Sequence, residues 1–203
     1  MPRFLSEDEV NAFRERVYAV AERLFDEHGL EAVSMRQLGG NLGVTAMTLY
    51  RYFKDKDDIL AAVRARGFDR IAATLETALA TTSGPTEEAE PVSSAYIAFA
   101  FENPAAYRLM FELTQPNEAD YPDLARAVSR ARLTLRAFAD RLIATGRIEG
   151  GQPEVVAHAY WAAIHGLVVL RLAGKLSPTV GFDSVWTSLS GALAHGFRPH
   201  AGR

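Results

Sequence analysis

The stretch Thr45 to Lys56 gathers the groups best suited to meeting a polyanion: the hydroxyls of Thr45, Thr48, Tyr50 and Tyr52 and the cations Arg51, Lys54 and Lys56. Arg36 lies a short way upstream, and from Val33 to Lys56 the only acidic residue is Asp55, although the segment before it is acid-rich. Hydroxyl and cationic donors at this density serve phosphate oxygens and base edges better than they serve a bond-breaking reaction. The chain carries a net charge of -3, so nucleic-acid binding would have to come from this local patch and not from a polycationic whole.

Two short helices must hold that patch. Ser34 is placed to cap Met35 to about Asn41, Gly43 breaks the chain, and Thr45 is placed to cap Ala46 to Phe53. Two helices of about two turns joined by Leu42-Gly43-Val44 have the layout of a helix-turn-helix. Leu38, Leu42, Val44 and Leu49 would form its small core, and Thr45, Ala46, Thr48 and Arg51 would project outward. Small side chains at the start of the second helix let its backbone enter a major groove closely. Tyr50, Tyr52 and Lys56 would meet phosphates at its far end. Arg36 and Arg51 read equally well as solvated charges, and Met47 as a groove contact or as packing against the first helix.

The remaining elements are also helical. Ser6-Glu7-Asp8-Glu9 is a capping box, and Val10, Phe13, Val17, Ala21, Leu24 and Phe25 follow at helical spacing up to Gly29. Asp55 caps a longer helix from Lys56 to about Leu79. Thr81 to Pro91 reads as a linker. Helices then follow over Val92–Glu102, Pro104–Leu113, Asp123–Ala144, Pro153–Leu172 and Phe182–His195, with Gln115 to Pro122 a loop. The expectation is an all-α chain of about nine helices, short ones first and a bundle after them.

Composition narrows the function classes. Hydrophobic residues make up 48% and charged residues 23% of 203 residues, which suits one or two folded domains and not a disordered chain. With no cysteine there is no disulfide, thiol nucleophile or thiolate zinc site. Glu7, Asp8 and Glu9 stand where an export signal would want a basic start, and Ala157 to Leu172, interrupted by His158, His165 and Arg171, reads as too short and too polar to span a bilayer. A cytoplasmic chain with no membrane partner is expected. Phosphate-loop, dinucleotide, serine-hydrolase and zinc-protease signatures are all missing, so no enzyme, cofactor or metal is expected. His158 and His165 flank Trp161 on one helix face without a carboxylate partner in view, which favours hydrogen-bonded histidines over metal ligands.

Aromatic residues cluster in the second half. Tyr96, Phe99, Tyr107, Phe111, Phe138, Trp161 and His165 are the candidate lining of an apolar pocket between helices, although an aromatic stripe at helical spacing is core more often than pocket.

Gly29-Leu30, Leu42-Gly43-Val44, Thr48-Leu49-Tyr50-x-Tyr52-Phe53 and the following Lys56-x-x-Ile59-Leu60 together resemble the DNA-binding domain of the tetracycline-repressor (TetR) family of bacterial transcription regulators. The resemblance implies an N-terminal three-helix DNA-binding domain over residues 1–55 and a helical ligand-binding and dimerisation domain over 56–203. By position it implies DNA contacts from Ser34, Met35, Arg36, Thr45, Ala46, Met47, Thr48, Tyr50, Tyr52 and Lys56. It also implies a homodimer built on the last two helices, a palindromic operator on double-stranded DNA, and release by a small-molecule effector. Gly39-Gly40 stands where the family has better helix formers, which predicts a less rigid second helix. Ala95-Tyr96, Phe99-Ala100, Glu102-Asn103-Pro104 and Tyr107 to Phe111, followed by Trp161 and His165-Gly166, resemble the regulatory domain of a TetR subgroup with a Trp–His–Gly motif. The competing reading is a helical protein–protein interaction module that has lost DNA binding.

Overall fold

Short-range capping sets where the first helices start. In the computed structural model, which describes residues 6–81, 89–111 and 117–197, α1 (Glu7–His28) begins where Ser6 Oγ accepts the Glu9 N–H at 3.2 Å and the Glu9 carboxylate accepts the Ser6 N–H at 2.8 Å. The same reciprocal pair, Ser34 with Gln37, starts α2 (Met35–Leu42). Thr45 Oγ1 accepts the Thr48 N–H at 3.3 Å and starts α3 (Ala46–Leu49). Asp55 accepts the Asp58 N–H at 2.9 Å and Asp58 accepts the Lys54 N–H at 3.0 Å, which opens α4 (Lys56–Thr81). Each side-chain acceptor satisfies an N–H that the helix itself leaves unpaired.

The later elements are α5 (Ala89–Glu102), α6 (Pro104–Met110), a 3-10 turn (Glu118–Asp120), α7 (Pro122–Ala144), α8 (Pro153–Leu172) and α9 (Phe182–Gly196). The described residues are helical with no strand, as the all-α expectation has it. Four boundaries differ from it, the first being that α6 ends at Met110, with Phe111 in a turn onto the Arg108 carbonyl, short of the expected Leu113. Regular α3 stops at Leu49, and Tyr50 to Phe53 continue in hydrogen-bonded turns onto Ala46, Thr48 and Leu49. Part of the expected linker is the first turn of α5: Pro91 sits there at no cost, because a first-turn N–H has no partner within the helix. The rest of that linker, 82–88, lies outside the described residues, as do 112–116, which include the end of the expected Pro104–Leu113 helix and the first two residues of the expected Gln115–Pro122 loop. The described part of that loop holds the 3-10 turn, capped by Asn117 Oδ1 on the Ala119 N–H, and Pro122 already opens α7.

The chain divides into two compact units. The first comprises the residues up to Asp69 together with Ala105–Val128. Its core joins Val17, Ala21, Leu24 and Phe25 of α1 to Leu38 of α2, Leu49 of α3, and Ile59, Leu60 and Val63 of α4. Arg108 holds Asp26 through a paired fork, with Nε–Oδ1 at 2.8 Å and Nη2–Oδ2 at 3.0 Å.

The second unit comprises Arg70–Pro104 and the residues from Ser129 on. Here α8 packs on α5 and on α9. Arg130 holds Glu76 with two bonds of 2.9 and 2.5 Å, and the Tyr160 hydroxyl donates to the Ser190 carbonyl at 3.4 Å. By length and composition alone α8 could cross a membrane. Val156, Ala157, Tyr160, Ile164, Leu167 and Val168 are nevertheless buried, as in a core helix of a folded domain.

Candidate nucleic-acid interface and ligand cavity

The turn between α2 and α3 fixes the geometry of the patch read from sequence. Gly43 takes the left-handed conformation (φ 70°), and its N–H and that of Val44 return to the carbonyls of Gly40 and Gly39 at 3.2 and 2.9 Å. That closes α2 and sends the chain directly into the Thr45 cap. Gly39 is buried at the crossing. A Cβ built there would meet the Val44 carbonyl oxygen at 2.8 Å and the Ala46 nitrogen at 3.1 Å. Gly39, read from sequence only as a weak helix former, is what lets α3 lie against α2. A further tie was not legible in sequence: Arg23 of α1 donates to Asn41 Oδ1 at 2.9 Å, while Asn41 Nδ2 donates to the Gln37 carbonyl.

On this frame Leu49 and Phe53 point inward and are fully buried or nearly so. Met47 is 73% exposed and Tyr50 52% exposed, and Arg36, Thr45 and Arg51 share the solvent side. Ala46 and Thr48 are half-buried, with the Thr48 hydroxyl 3.2 Å from that of Thr45. Exposure decides the side Met47 takes: it does not pack against α1. Ser34 is exposed with its hydroxyl committed to the Gln37 N–H in the cap of α2, which leaves the Met35 and Arg36 N–H groups of that helix start for an anion. Met35 is buried in the core, so only its backbone faces outward. Tyr52 is half-buried against Phe13, ring centroids 4.8 Å apart. Lys56 Nζ donates to the Leu30 carbonyl at 2.6 Å and ties the start of α4 to the loop after α1. Tyr52 and Lys56 therefore also hold the frame.

The seven aromatic-pocket candidates separate. Tyr107 and Phe111 belong to the first unit, where Phe111 lies edge-on to Phe68 and Tyr107 at 5.6 and 5.0 Å. Tyr96, Phe99, Phe138, Trp161 and His165 belong to the second. Of these, Tyr96, Phe138 and Trp161 line a cavity of about 20 Å³ with Ser93, Leu135, Tyr160 and Trp186. That volume admits about one water. The Trp161 indole N–H donates to the Tyr96 hydroxyl at 3.1 Å across it. Phe99 is instead stacked under Arg70, whose guanidinium carbon is 5.7 Å from the ring centre. Burial pushes the His165 imidazole below its usual range and the Tyr160 phenol above its own. His158 is exposed and bonds through Nδ1 to the Glu154 carbonyl at 2.8 Å. On the other side of Trp161, a second pocket of about 200 Å³ opens between α7 and α8, lined by Arg132, Arg136, Glu154 and His158. Leu135, Ala157 and Trp161 border both.

Comparison with known proteins gives a consistent result. Residues 17–63 match the family described as bacterial regulatory proteins, tetR family, and residues 89–193 match a tetracyclin repressor-like C-terminal domain. Over 56 residues the chain is 45% identical to an HTH-type transcriptional regulator of Staphylococcus aureus (strain USA300); the match covers 28% of this chain and 30% of that relative's length. A protein of unknown function from Rhodococcus sp. RHA1 superposes with a TM-score of 0.78 at 24% identity, over 97% of this chain and 98% of its own. The TetR family transcriptional regulator PfmR from Thermus thermophilus does so with a TM-score of 0.69 at 20% identity, over 93% and 100%. The fatty acid degradation regulator FadR from Bacillus halodurans gives a TM-score of 0.72 at 10% identity, over 99% and 100%. At these identities the three structures speak to the fold.

Proposed function

We propose that this chain, which belongs to the tetracycline-repressor family of bacterial regulatory proteins, works in the cytoplasm as a homodimeric repressor that binds a palindromic operator and is released by a small-molecule effector. The family and its relatives are transcriptional regulators and not enzymes. In this reading residues 1–55 carry DNA recognition, and 56–203 carry effector binding and dimerisation. The observation that supports it best is the split of α3 and its extension. Leu49 and Phe53 anchor the segment, and Thr45, Met47, Tyr50 and Arg51 are exposed to solvent. A short helix held rigidly from beneath and polar outside is what a major groove admits.

Ser34, Met35, Arg36, Thr45, Ala46, Met47, Thr48, Tyr50, Tyr52 and Lys56 form the proposed DNA contact set, with Met35 contributing through its N–H. Tyr96, Phe99, Phe138, Trp161 and His165 of the second unit are the proposed effector residues, in a regulatory domain of the Trp–His–Gly type (Trp161, His165, Gly166); Tyr107 and Phe111, expected with them from sequence, belong to the first unit. A pocket that holds an effector needs several hundred Å³, so the cavity at Tyr96 must open by turning the Trp161 indole off its hydroxyl partner. An effector that favours the open arrangement and DNA that favours the closed one would then oppose each other; coupling of about 1–3 kcal/mol weakens operator binding about 5–150-fold. α4 carries both Ile59 of the first core and Leu75 of the cavity, and it is the element through which that opposition acts.

Selection of the full-length protein against random double-stranded DNA, followed by affinity measurements at several salt concentrations, tests this. A palindrome should be enriched, with affinity falling steeply as salt rises. Tyr50→Phe should weaken binding about fivefold for each half-site with an unchanged salt slope, because it removes one hydrogen bond from a neutral donor, worth about 1 kcal/mol, per subunit. Lys56→Ala should lower the slope by about 2 for the dimer, one phosphate contact being lost in each half-site. Recovery of no enriched sequence would favour the interaction-module reading instead.

A further inference from the structure

We infer that Arg64 anchors an anion-binding site in the first unit and receives the carboxylate of a ligand whose body is apolar. Arg64, on α4, is 1% exposed, and among the described residues neither its Nε nor its Nη1 has an acceptor. Its charged neighbour is Glu118, whose Oε1 stands 3.6 Å from Nη2, beyond hydrogen-bonding distance, on a side chain that is 36% exposed. A guanidinium stays charged even where burial lowers its pKa, as it does here. A buried charge is ordinarily paired and hydrogen-bonded, and an arginine–carboxylate pair built for structure would meet in a fork. Arg108 with Asp26 does so in this same unit; Arg64 with Glu118 does not. The Glu118 carboxylate has the place of a weak, partly solvated stand-in that a better-placed carboxylate would displace.

The surroundings specify the rest of the ligand. One turn along α4 from Arg64 lie Gly67 and Phe68, on the same helix face. A Cβ at Gly67 would meet the Met110 thioether at 2.7 Å, and Phe68 lies against Phe111, itself against Tyr107. An aromatic and thioether layer thus lies one turn along α4 from Arg64, which suits the hydrocarbon of an aliphatic or aromatic acid and not an inorganic ion. The site deepens the effector reading above and rests on it only for its consequence at DNA.

The test titrates full-length protein, without DNA, with decanoate, benzoate, inorganic phosphate and the neutral control decanol, by calorimetry. The wild type should bind decanoate or benzoate, Arg64→Met at least tenfold more weakly, and decanol should not separate the two. Glu118→Gln should bind the carboxylate about threefold more tightly, through loss of its competitor. Arg64→Met should melt no lower than the wild type. Should Arg64→Met fail to fold, the buried Nε–H resonance of Arg64 in the wild type reads the same question and must shift on adding decanoate. Equal binding by wild type and Arg64→Met, binding of phosphate alone, or no binding at all overturns the inference. Carboxylate binding that leaves operator affinity unchanged keeps the site and sinks the effector reading; operator release by neutral compounds alone does the reverse.

Discussion

Gly39→Ala is expected to lower the unfolding midpoint of the first unit and weaken DNA binding, while Gly40→Ala, one residue on, raises the midpoint. Both substitutions gain the same intrinsic term, since alanine in a helix is favoured over glycine by about 0.5–1 kcal/mol. At Gly40 nothing lies within 4 Å of the added Cβ, so that gain stands alone. At Gly39 the Cβ meets the Val44 oxygen at 2.8 Å, the Ala46 nitrogen at 3.1 Å and the Thr45 carbonyl carbon at 3.1 Å. All three are backbone atoms of the turn and of the start of α3, so no side chain can rotate away. Overpacking of this kind costs about 1–3 kcal/mol, which exceeds the helix gain. The relief available is a shift of α3 away from α2, which misplaces Thr45, Met47 and Tyr50. Thermal melts followed by circular dichroism decide it: equal stabilisation by the two variants would mean that α2 and α3 do not approach this closely.

The pair of glycines also shows what a sequence can and cannot tell. Capping was legible because its partners lie three residues apart: Ser6 with Glu9, Thr45 with Thr48 and Asp55 with Asp58 are visible in a single window. The helical order and the helix-turn-helix followed from the same short-range signals. Gly39 and Gly40 look identical in such a window and differ only by what crosses above them. Arg108 with Asp26 is 82 residues apart, and Arg64 with Glu118 joins α4 to a 3-10 turn; neither has a local signature. Residue type marks Lys56 and Tyr52 as phosphate donors, while the bond of Lys56 to Leu30 and the packing of Tyr52 on Phe13 join residues far apart in the chain. Aromatic spacing marked Tyr96, Phe99, Tyr107, Phe111 and Phe138 for apolar surroundings. It carried no information on which would share a cavity, because that depends on how the helices cross and not on the period along any one of them.

Ala162→Glu is expected to turn the proposed dimer into a monomer at micromolar concentration and to lower operator affinity about 10²–10⁴-fold, the gain that joining two half-site contacts supplies. α8 has two apolar faces. Val156, Tyr160, Ile164, Leu167 and Val168 are buried in its own unit. Val155, Ala159, Ala162, Gly166 and Val169 recur at alternating spacings of four and three and are exposed or half-buried. A single unit has no use for a second apolar face, and the small side chains at its middle suit close approach of another helix. α9 points the same way, since it carries Val185, Trp186, Leu189 and Leu193 yet has no buried residue. Across a two-fold axis the same face meets itself, so each substitution enters twice and sets two carboxylates against one another in an apolar contact. Glutamate and alanine are both good helix formers, so the helix content should not change. Sedimentation equilibrium reads the mass directly. A monomer with native helicity and lost operator binding assigns the interface to this face. A dimer that persists with the charge in place moves the interface off α8, and the two-fold match between protein and palindrome must then be built from another surface.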